Sequence, residues 1–503
     1  MFGACQALRD GPGPDTPSPI RSRARQLPDL NAILDAAKRG DLSRELAEAL
    51  PVLGPEAVAL FAMAMAAHVA ALRQQAAAAS PSPSTPSGMV PAYQKPTAGK
   101  GKRRKPPGAK PGHAGTRRKP PATVDARAEH RLAACPCCGG ELQRCRRTRT
   151  RVIEDIPQEI TPVVTEHTIH RDYCPACKRH VEPVVPDAMP NATLGHHVMA
   201  LSSWFHYGLG VTIGQTRDIL ASHLHAEVTA GGLLDGWRRL AETLFPWYEQ
   251  VGRDARAGAV LHADETGWRV AGQTWWLWCF CTPDTCCYLI DPSRGSPALQ
   301  KFFTQAFRGV LVTDFWAAYD AVCAGDNQRC LPHLLRELIK VDERNDMREW
   351  RAFSKQLKRL VRDGIRLRKR PDFTRERYAS RIRLINKRLC ALADARHHDA
   401  DAARLGQRIS KYRDQLFTFL DTPGVPPDNN HGERQIRPAV IIRKNSLCNR
   451  SEAGAATQGV LMSIYRTLKL RGHDPTKTIA AALREMLKTG TLPPLPAKGA
   501  ADG

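Results

Sequence analysis

No uninterrupted apolar run in these 503 residues approaches the ~18–20 needed to span a bilayer. The N-terminal stretch MFGACQALRDGPGPDTPSPIRSRARQ also lacks the apolar centre of a secretory signal. A cytoplasmic location is therefore expected, with no membrane partner. The 15 cysteines then read as reduced thiols and metal ligands, not as a disulfide framework. Acidic residues are the second shortage. Asp and Glu number 50 against 74 Lys and Arg, a formal net charge of +24 and a pI near 9.7. That excess favours a polyanion partner, nucleic acid ahead of an anionic membrane surface. There is no internal repeat.

Composition divides the chain. Residues 1–27 are rich in Pro, Gly and Arg and are expected to be disordered. Residues 28–79 read as helices, and Leu60, Met63, Ala67, Ala70 and Ala71 fall near one face. That face suits either a coiled-coil seam or a short amphipathic helix packed on the rest. Residues 80–124 combine a Pro/Ser linker with a basic segment. Within it, KPTAGKGKRRKPPGAKPGHAGTRRK carries ten Lys or Arg in 25 residues and no acid. Such a block builds no core. With Pro and Gly throughout it stays extended, so Lys102, Arg103, Arg104, Lys105, Lys110, Arg117 and Arg118 are expected to lie along DNA phosphates; an inert linker is the alternative. Residues 188–255 read as short helices, arranged on one reading as a DNA-binding helix-turn-helix. Strand text follows from 256 to 330, then charged helical text from 331 to 420. Residues 421–450 are polar and basic, and 451–490 are helical again.

Residues 125–187 hold a cysteine module. The first knuckle runs Cys135-Pro-Cys-Cys138 and the second Cys174-Pro-Ala-Cys177, with 35 residues between them. Each pair offers two thiolates to one tetrahedral ion, so Cys135, Cys138, Cys174 and Cys177 are the expected zinc ligands and Cys137 a spare. Gly139-Gly140 suits the turn that brings backbone amides to the sulfurs. The intervening RVIEDIPQEITPVVTEHTIHRDYC reads as strands bridging the knuckles. Cys279, Cys281, Cys286 and Cys287 sit in aromatic strand text and read as small buried hydrophobes.

A chain this basic also places isolated acids at the ends of apolar strands. VLHADETGWRV leads from Val260-Leu261 to Asp264, and GVLVTDFWAAYD from Val310-Leu311-Val312 to Asp314. Glu433 opens a polar, helix-like turn in DNNHGERQIRPAVIIRKNS. Three carboxylates from separate segments can hold hard cations such as Mg2+ or Mn2+, and two such ions clamp an in-line phosphoryl displacement. Arg434, Arg437, Arg443 and Lys444 would then hold phosphates nearby. Glu265 neighbours Asp264, but strand alternation turns it to the other face. His333 either supports the site or is a helix-start histidine satisfied by backbone.

HADETGWRV, LVTDFWAAYD, RCLPHLLREL and DNNHGERQIRPAVIIRKNSLCNRSEAGA together resemble the transposases of the insertion sequence 66 family. The order of parts is similar as well, from about residue 28 to 490. Residues 1–27 lie outside the resemblance, which leaves a start downstream of Met1 open. The resemblance implies an α/β fold, with an RNase H-like core over 256–330 and 421–450 carrying 331–420 as a helical insertion. It implies a DDE transposase with Asp264, Asp314 and Glu433 as the acids, cleaving element ends and joining a 3'-hydroxyl to target DNA. Cys330-Leu-Pro-His333 matches the family's Cys-x2-His position, with Leu331 where an aromatic residue is common. A homo-multimer in the synapse and accessory transposition proteins are further expectations. A non-catalytic zinc-containing DNA-binding relative and a metal nuclease without strand transfer are the competing readings.

Overall fold

In the computed structural model the described residues are 29–78, 121–143, 149–157, 159–370 and 372–499. The expectations for residues 1–27 and for the basic segment 95–119 lie outside them. The chain divides into two compact units, residues 1–82 and 83–503.

Among its described residues the first unit has the α-helices α1 (Leu30–Arg39), α2 (Arg44–Ala49) and α3 (Pro55–Ala78). Asp29 caps α1 by accepting the Asn31 N–H, and Gly40 ends it in the left-handed region. Ile33 and Ala36 are buried, whereas Leu60 and Met63 on α3 stay exposed.

The second unit opens with a short hairpin, β1 (Asp172–Cys174) and β2 (Arg179–Val181). The strands expected between the cysteine knuckles do not form among the described residues of 149–171. Ile153, Ile156, Val163 and Val164 are strongly exposed there, with no neighbouring strand to accept their backbone or cover their side chains. Four helices follow: α4 (His196–Ser203), α5 (Ile213–Leu224), α6 (Ala230–Thr243) and α7 (Phe245–Ala257). A capping box between Thr212 and Gln215 starts α5. Trp237 of α6 and Trp247 of α7 are fully buried, so these helices form part of the main core.

The centre is a mixed five-stranded sheet of order β5-β4-β3-β6-β7. Its strands are β3 (Val260–Val270), β4 (Gln273–Cys281) and β5 (Cys286–Asp291), then, after helix α8 (Ser296–Phe302), β6 (Phe307–Thr313) and β7 (Ala324–Arg329). β3, β4 and β5 form an antiparallel meander, whereas β6 runs parallel to β3 and β7 parallel to β6. The β3–β4 turn, Ala271-Gly272, has both residues at positive φ (48° and 77°), the two-residue geometry that matches strand twist. The four cysteines of β4 and β5 are buried as expected, with Cys279 and Cys286 Sγ 3.6 Å apart.

The segment 331–420 is helical: α9 (Leu331–Asp342), α10 (Arg348–Arg368), α11 (Arg375–Asp394), α12 (Ala400–Lys411) and α13 (Thr418–Asp421). It does not hang free of the sheet. Val310 and Val312 of β6 belong to its apolar core, while Leu311 between them belongs to the larger core. Three helices close the chain: α14 (Asn430–Ser446), α15 (Glu452–Leu470) and α16 (Pro475–Thr489). Regular helix thus begins at residue 430, earlier than the 451 that composition suggested. Among the described residues no helix is long and apolar enough to cross a membrane.

Candidate active site

Strand register brings the first two acids together. In the parallel pair, Val260 lies beside Val310 and His262 beside Val312. The pairing ends there, but β3 runs on through Asp264 and Asp314 follows directly on the end of β6, so the two acids come close enough for the Asp314 charge to act on Asp264. Both are half-buried. Asp264 Oδ1 accepts the Glu265 N–H at 3.0 Å, and Asp314 Oδ1 accepts the Trp316 N–H at 2.8 Å. Burial, then the charges of Glu265, Asp314 and Glu433, hold the Asp264 carboxyl well above its ordinary range. Asp314 is pushed up to about 6 by burial and Glu265, against the pull of the Trp316 N–H, His333 and Arg294. These are crowded carboxylates with too little compensating cation.

Glu265, the next residue of β3, stays near enough for its charge to raise both Asp264 and Asp314. It accepts from Arg294 at 3.0 Å and from the buried Tyr319 hydroxyl at 2.6 Å. The Arg294 guanidinium is also stacked on Trp316 and Trp276.

Asp314 is held from behind by Arg329, at the end of β7. This arginine is fully buried and donates to the Asp314 carbonyl at 3.0 Å, to Thr313 Oγ1 at 3.0 Å and to Gln415 Oε1 at 2.8 Å. Its ion pair with Asp320 balances the charge.

Glu433 stands in the first turn of α14, 119 positions after Asp314. Asn429 places that turn. Its amide donates to the Ala263 carbonyl at 2.8 Å, its Oδ1 meets His262 Nδ1 at 2.9 Å, and its backbone N–H donates to Cys330 Sγ at 3.3 Å. Because the amide nitrogen is used on Ala263, Oδ1 is the acceptor and His262 Nδ1 carries the proton. Burial pushes His262 down to about 4, so this imidazole is neutral at neutral pH. Gly432 is required by the same clamp: a Cβ there would stand 2.8 Å from Asn429 Oδ1. Neither Asn429 nor His262 stands out in the sequence, although both lie in the segments quoted for the acids.

Glu433 Oε1 accepts from Arg336 at 3.1 Å and lies 3.8 Å from His333 Nε2. Its carboxylate does not meet those of Asp264 and Asp314 in one tight group. The three-residue group whose donor atoms all lie within 4.8 Å, among the described residues, is Cys330, His333 and Glu433. Cys330 is buried, which pushes its thiol up to about 12. Burial also lowers His333, and its Nδ1 is buried without a hydrogen-bond partner. His333 is therefore not a helix-start histidine whose ring is satisfied by backbone.

Of the cations expected around Glu433, Arg434, Arg437 and Lys444 are exposed on α14. Arg443 differs: it donates to Thr266 Oγ1 at 2.8 Å and to the Gly267 carbonyl, tying α14 to β3. Both bonds use Nη1, so one arm of the guanidinium is anchored in the fold. Lys102, Arg103, Arg104, Lys105, Lys110, Arg117 and Arg118 lie outside the described residues.

In the cysteine module each knuckle is turned locally. Gly139 N–H donates to the Cys135 carbonyl at 2.8 Å, and Cys177 N–H to Cys174 Sγ at 3.4 Å. Hydrogen bonds from neighbouring groups lower the Cys135 and Cys174 thiols, as a metal-binding thiolate needs. The four sulfurs do not form one group within 4.8 Å. The donor chemistry fits a tetrahedral zinc ion, and Cys137 is exposed.

The profile of the family described as "Transposase IS66 family" matches residues 192–457, more than half of the chain. That of the "zinc-finger binding domain of transposase IS66" matches residues 133–178. Two proteins of Sinorhizobium fredii are similar, both described as uncharacterized. One, y4jD, is 24% identical over 403 residues, covering 71% of this chain and 75% of that protein. The other, y4qI, is 27% identical over 242 residues, covering 41% of this chain and 43% of that protein.

Proposed function

We propose, from the premise that the chain belongs to the transposase IS66 family, that it cuts DNA at the ends of an insertion element and joins the freed 3'-hydroxyl to target DNA. The observation that carries this is the parallel pairing of β3 and β6, which brings Asp264 and Asp314 near one another, with both carboxyls raised by burial and then by neighbouring acids. Perturbed acids gathered from separate segments are the mark of a site built for charge it does not itself contain. Asp264, Asp314 and Glu433 would hold Mg2+ or Mn2+, which supplies activation of the attacking oxygen and stabilisation of the leaving oxygen.

The chain's own residues do the positioning. Arg329 fixes the Asp314 backbone, and Asn429 fixes the start of α14 on β3. Glu433 has to turn from Arg336 toward Asp264 and Asp314 as its partners change. Arg434, Arg437 and Lys444 offer charge to the DNA backbone beside the acids, and the basic segment adds a longer track. The mixed sheet and its flanking helices are read as an RNase H-like core, with 331–420 inserted between the second and third acids. The zinc module and the helices of 188–255 are assigned to holding element ends, and a multimer to pairing them, with accessory proteins as further partners.

The test is strand cleavage and joining on labelled DNA carrying the gene's own flanking ends, with Mg2+ or Mn2+. Wild type should cleave and join, while Asp314→Asn and Glu433→Gln should bind DNA but do neither. Parallel loss of binding and cleavage in both variants would overturn the assignment. Binding without cleavage in wild type would put the non-catalytic DNA-binding reading ahead.

A further inference from the structure

The group at the head of α9 does not match the acids' chemistry. Cys330 caps that helix, His333 lies in its first turn and Glu433 reaches over from α14. Sulfur, imidazole nitrogen and carboxylate oxygen lie within 4.8 Å of one another. The backbone around them is fixed. Cys330 N–H donates to the Thr313 carbonyl at 2.8 Å, and Leu331 N–H to the Pro427 carbonyl at 3.0 Å. Cys330 Sγ already accepts the Asn429 N–H, an interaction that would also support a bound thiolate. His333 Nδ1 is buried with nothing to bond. A buried ring nitrogen without a partner is costly, and an incoming ligand would relieve that cost.

We propose that Cys330, His333 and Glu433 form a second metal site, separate from the cysteine module, for a zinc-class divalent ion. A thiolate and an imidazole are poor ligands for Mg2+ and good ones for zinc or cobalt. Three protein ligands leave a fourth position open for water or a phosphate oxygen. Arg336, which pairs with Glu433 and is half exposed, gives way to the ion. The Cys330 proton passes to solvent as the Cys–metal bond forms.

The site shares Glu433 with the proposed acid set. An ion bound there keeps Glu433 from Asp264 and Asp314, so zinc-class metals oppose Mg2+. That consequence rests on the function proposed above, whereas the binding does not.

The experiment is metal stoichiometry on full-length protein, stripped with chelator and titrated with Co2+. It is followed by sulfur-to-cobalt absorption and by elemental analysis after gel filtration. Cys330→Ser and His333→Ala should each bind about one equivalent fewer than wild type, and Cys330→Ser should lose part of the sulfur band. Cys135→Ser should retain the equivalent that those variants lose. The Cys330 side chain is fully buried, so His333→Ala decides the matter if Cys330→Ser fails to fold. Stoichiometry unchanged from wild type in His333→Ala would overturn the site. No DNA or turnover enters this readout, so its failure is distinct from failure of the transposase reading.

Discussion

Asp314→Asn separates stability from catalysis. The substitution keeps an acceptor oxygen for the Trp316 N–H and removes a charge. That charge is unfavourable in the metal-free protein, because burial and Glu265 push the carboxyl from 3.8 to about 6. The corresponding penalty at neutral pH is about 3 kcal/mol, reduced to roughly 1–2 by the solvent that reaches a half-buried side chain. Its direction with pH follows from proton counting. Below the unfolded value near 3.8 both states are protonated and nothing is lost. Between about 4 and 6 the folded protein holds a proton that the unfolded chain has released, so stability falls as pH rises and the full penalty applies above about 6. Calorimetry with chelator at pH 7.5 should therefore show Asp314→Asn melting higher than wild type by about 1–2 °C, at roughly 1 °C per kcal/mol for a unit of this size. Near pH 4 the two should coincide. Added Mg2+ should raise the wild-type transition and leave the variant's almost unmoved. Strand cleavage by the variant should fall at least ~10²-fold, the scale for losing a group that stabilises charge at the reacting centre. A variant that melts at or below wild type at pH 7.5 without metal would refute the reasoning, since crowded, uncompensated charge would then not describe this site.

Asn429→Ala should leave the buried His262 N–H and the Ala263 carbonyl unpaired. It should destabilise by about 2–4 kcal/mol in urea unfolding and cut joining more than DNA binding; an unchanged transition would remove its positioning role. Gly432→Ala should act through the same clamp, with a smaller loss of cleavage, and full activity would show that Asn429 can shift at no cost. Cys135→Ser or Cys174→Ser should lose zinc by elemental analysis and weaken binding to element ends, whereas retained zinc would break the four-cysteine assignment. Deleting residues 95–119 should flatten the dependence of log affinity on log salt, by about 0.9 for each phosphate no longer neutralised. An unchanged slope would make that segment a linker.

Much of the site is legible in the sequence because strand chemistry is local. Apolar runs leading to Asp264 and Asp314 mark two strands, but only Asp314 stands at a strand end; β3 continues to Val270, so Asp264 lies within its strand because β4 pairs with it on past that point. The buried cysteines of β4 and β5 follow from their aromatic setting. Local reading fails where partners decide the outcome. RVIEDIPQEITPVV has strand composition, yet no strand forms among its described residues because none lies beside them to pair with. Arg443 looks like its basic neighbours in sequence, yet it points at Thr266 and Gly267.

The sequence by itself determined the charge imbalance and the paired cysteine knuckles and singled out three candidate acids, since these depend on residue type and short spacing. Only the tertiary structure decided that β3 and β6 run parallel and so bring Asp264 and Asp314 near one another. It alone joined Asn429 to His262, 167 positions away, and brought Glu433 to Cys330 and His333 across the helical segment 331–420. Those arrangements are fixed by packing between distant segments, and neither propensity nor periodicity carries information at that range.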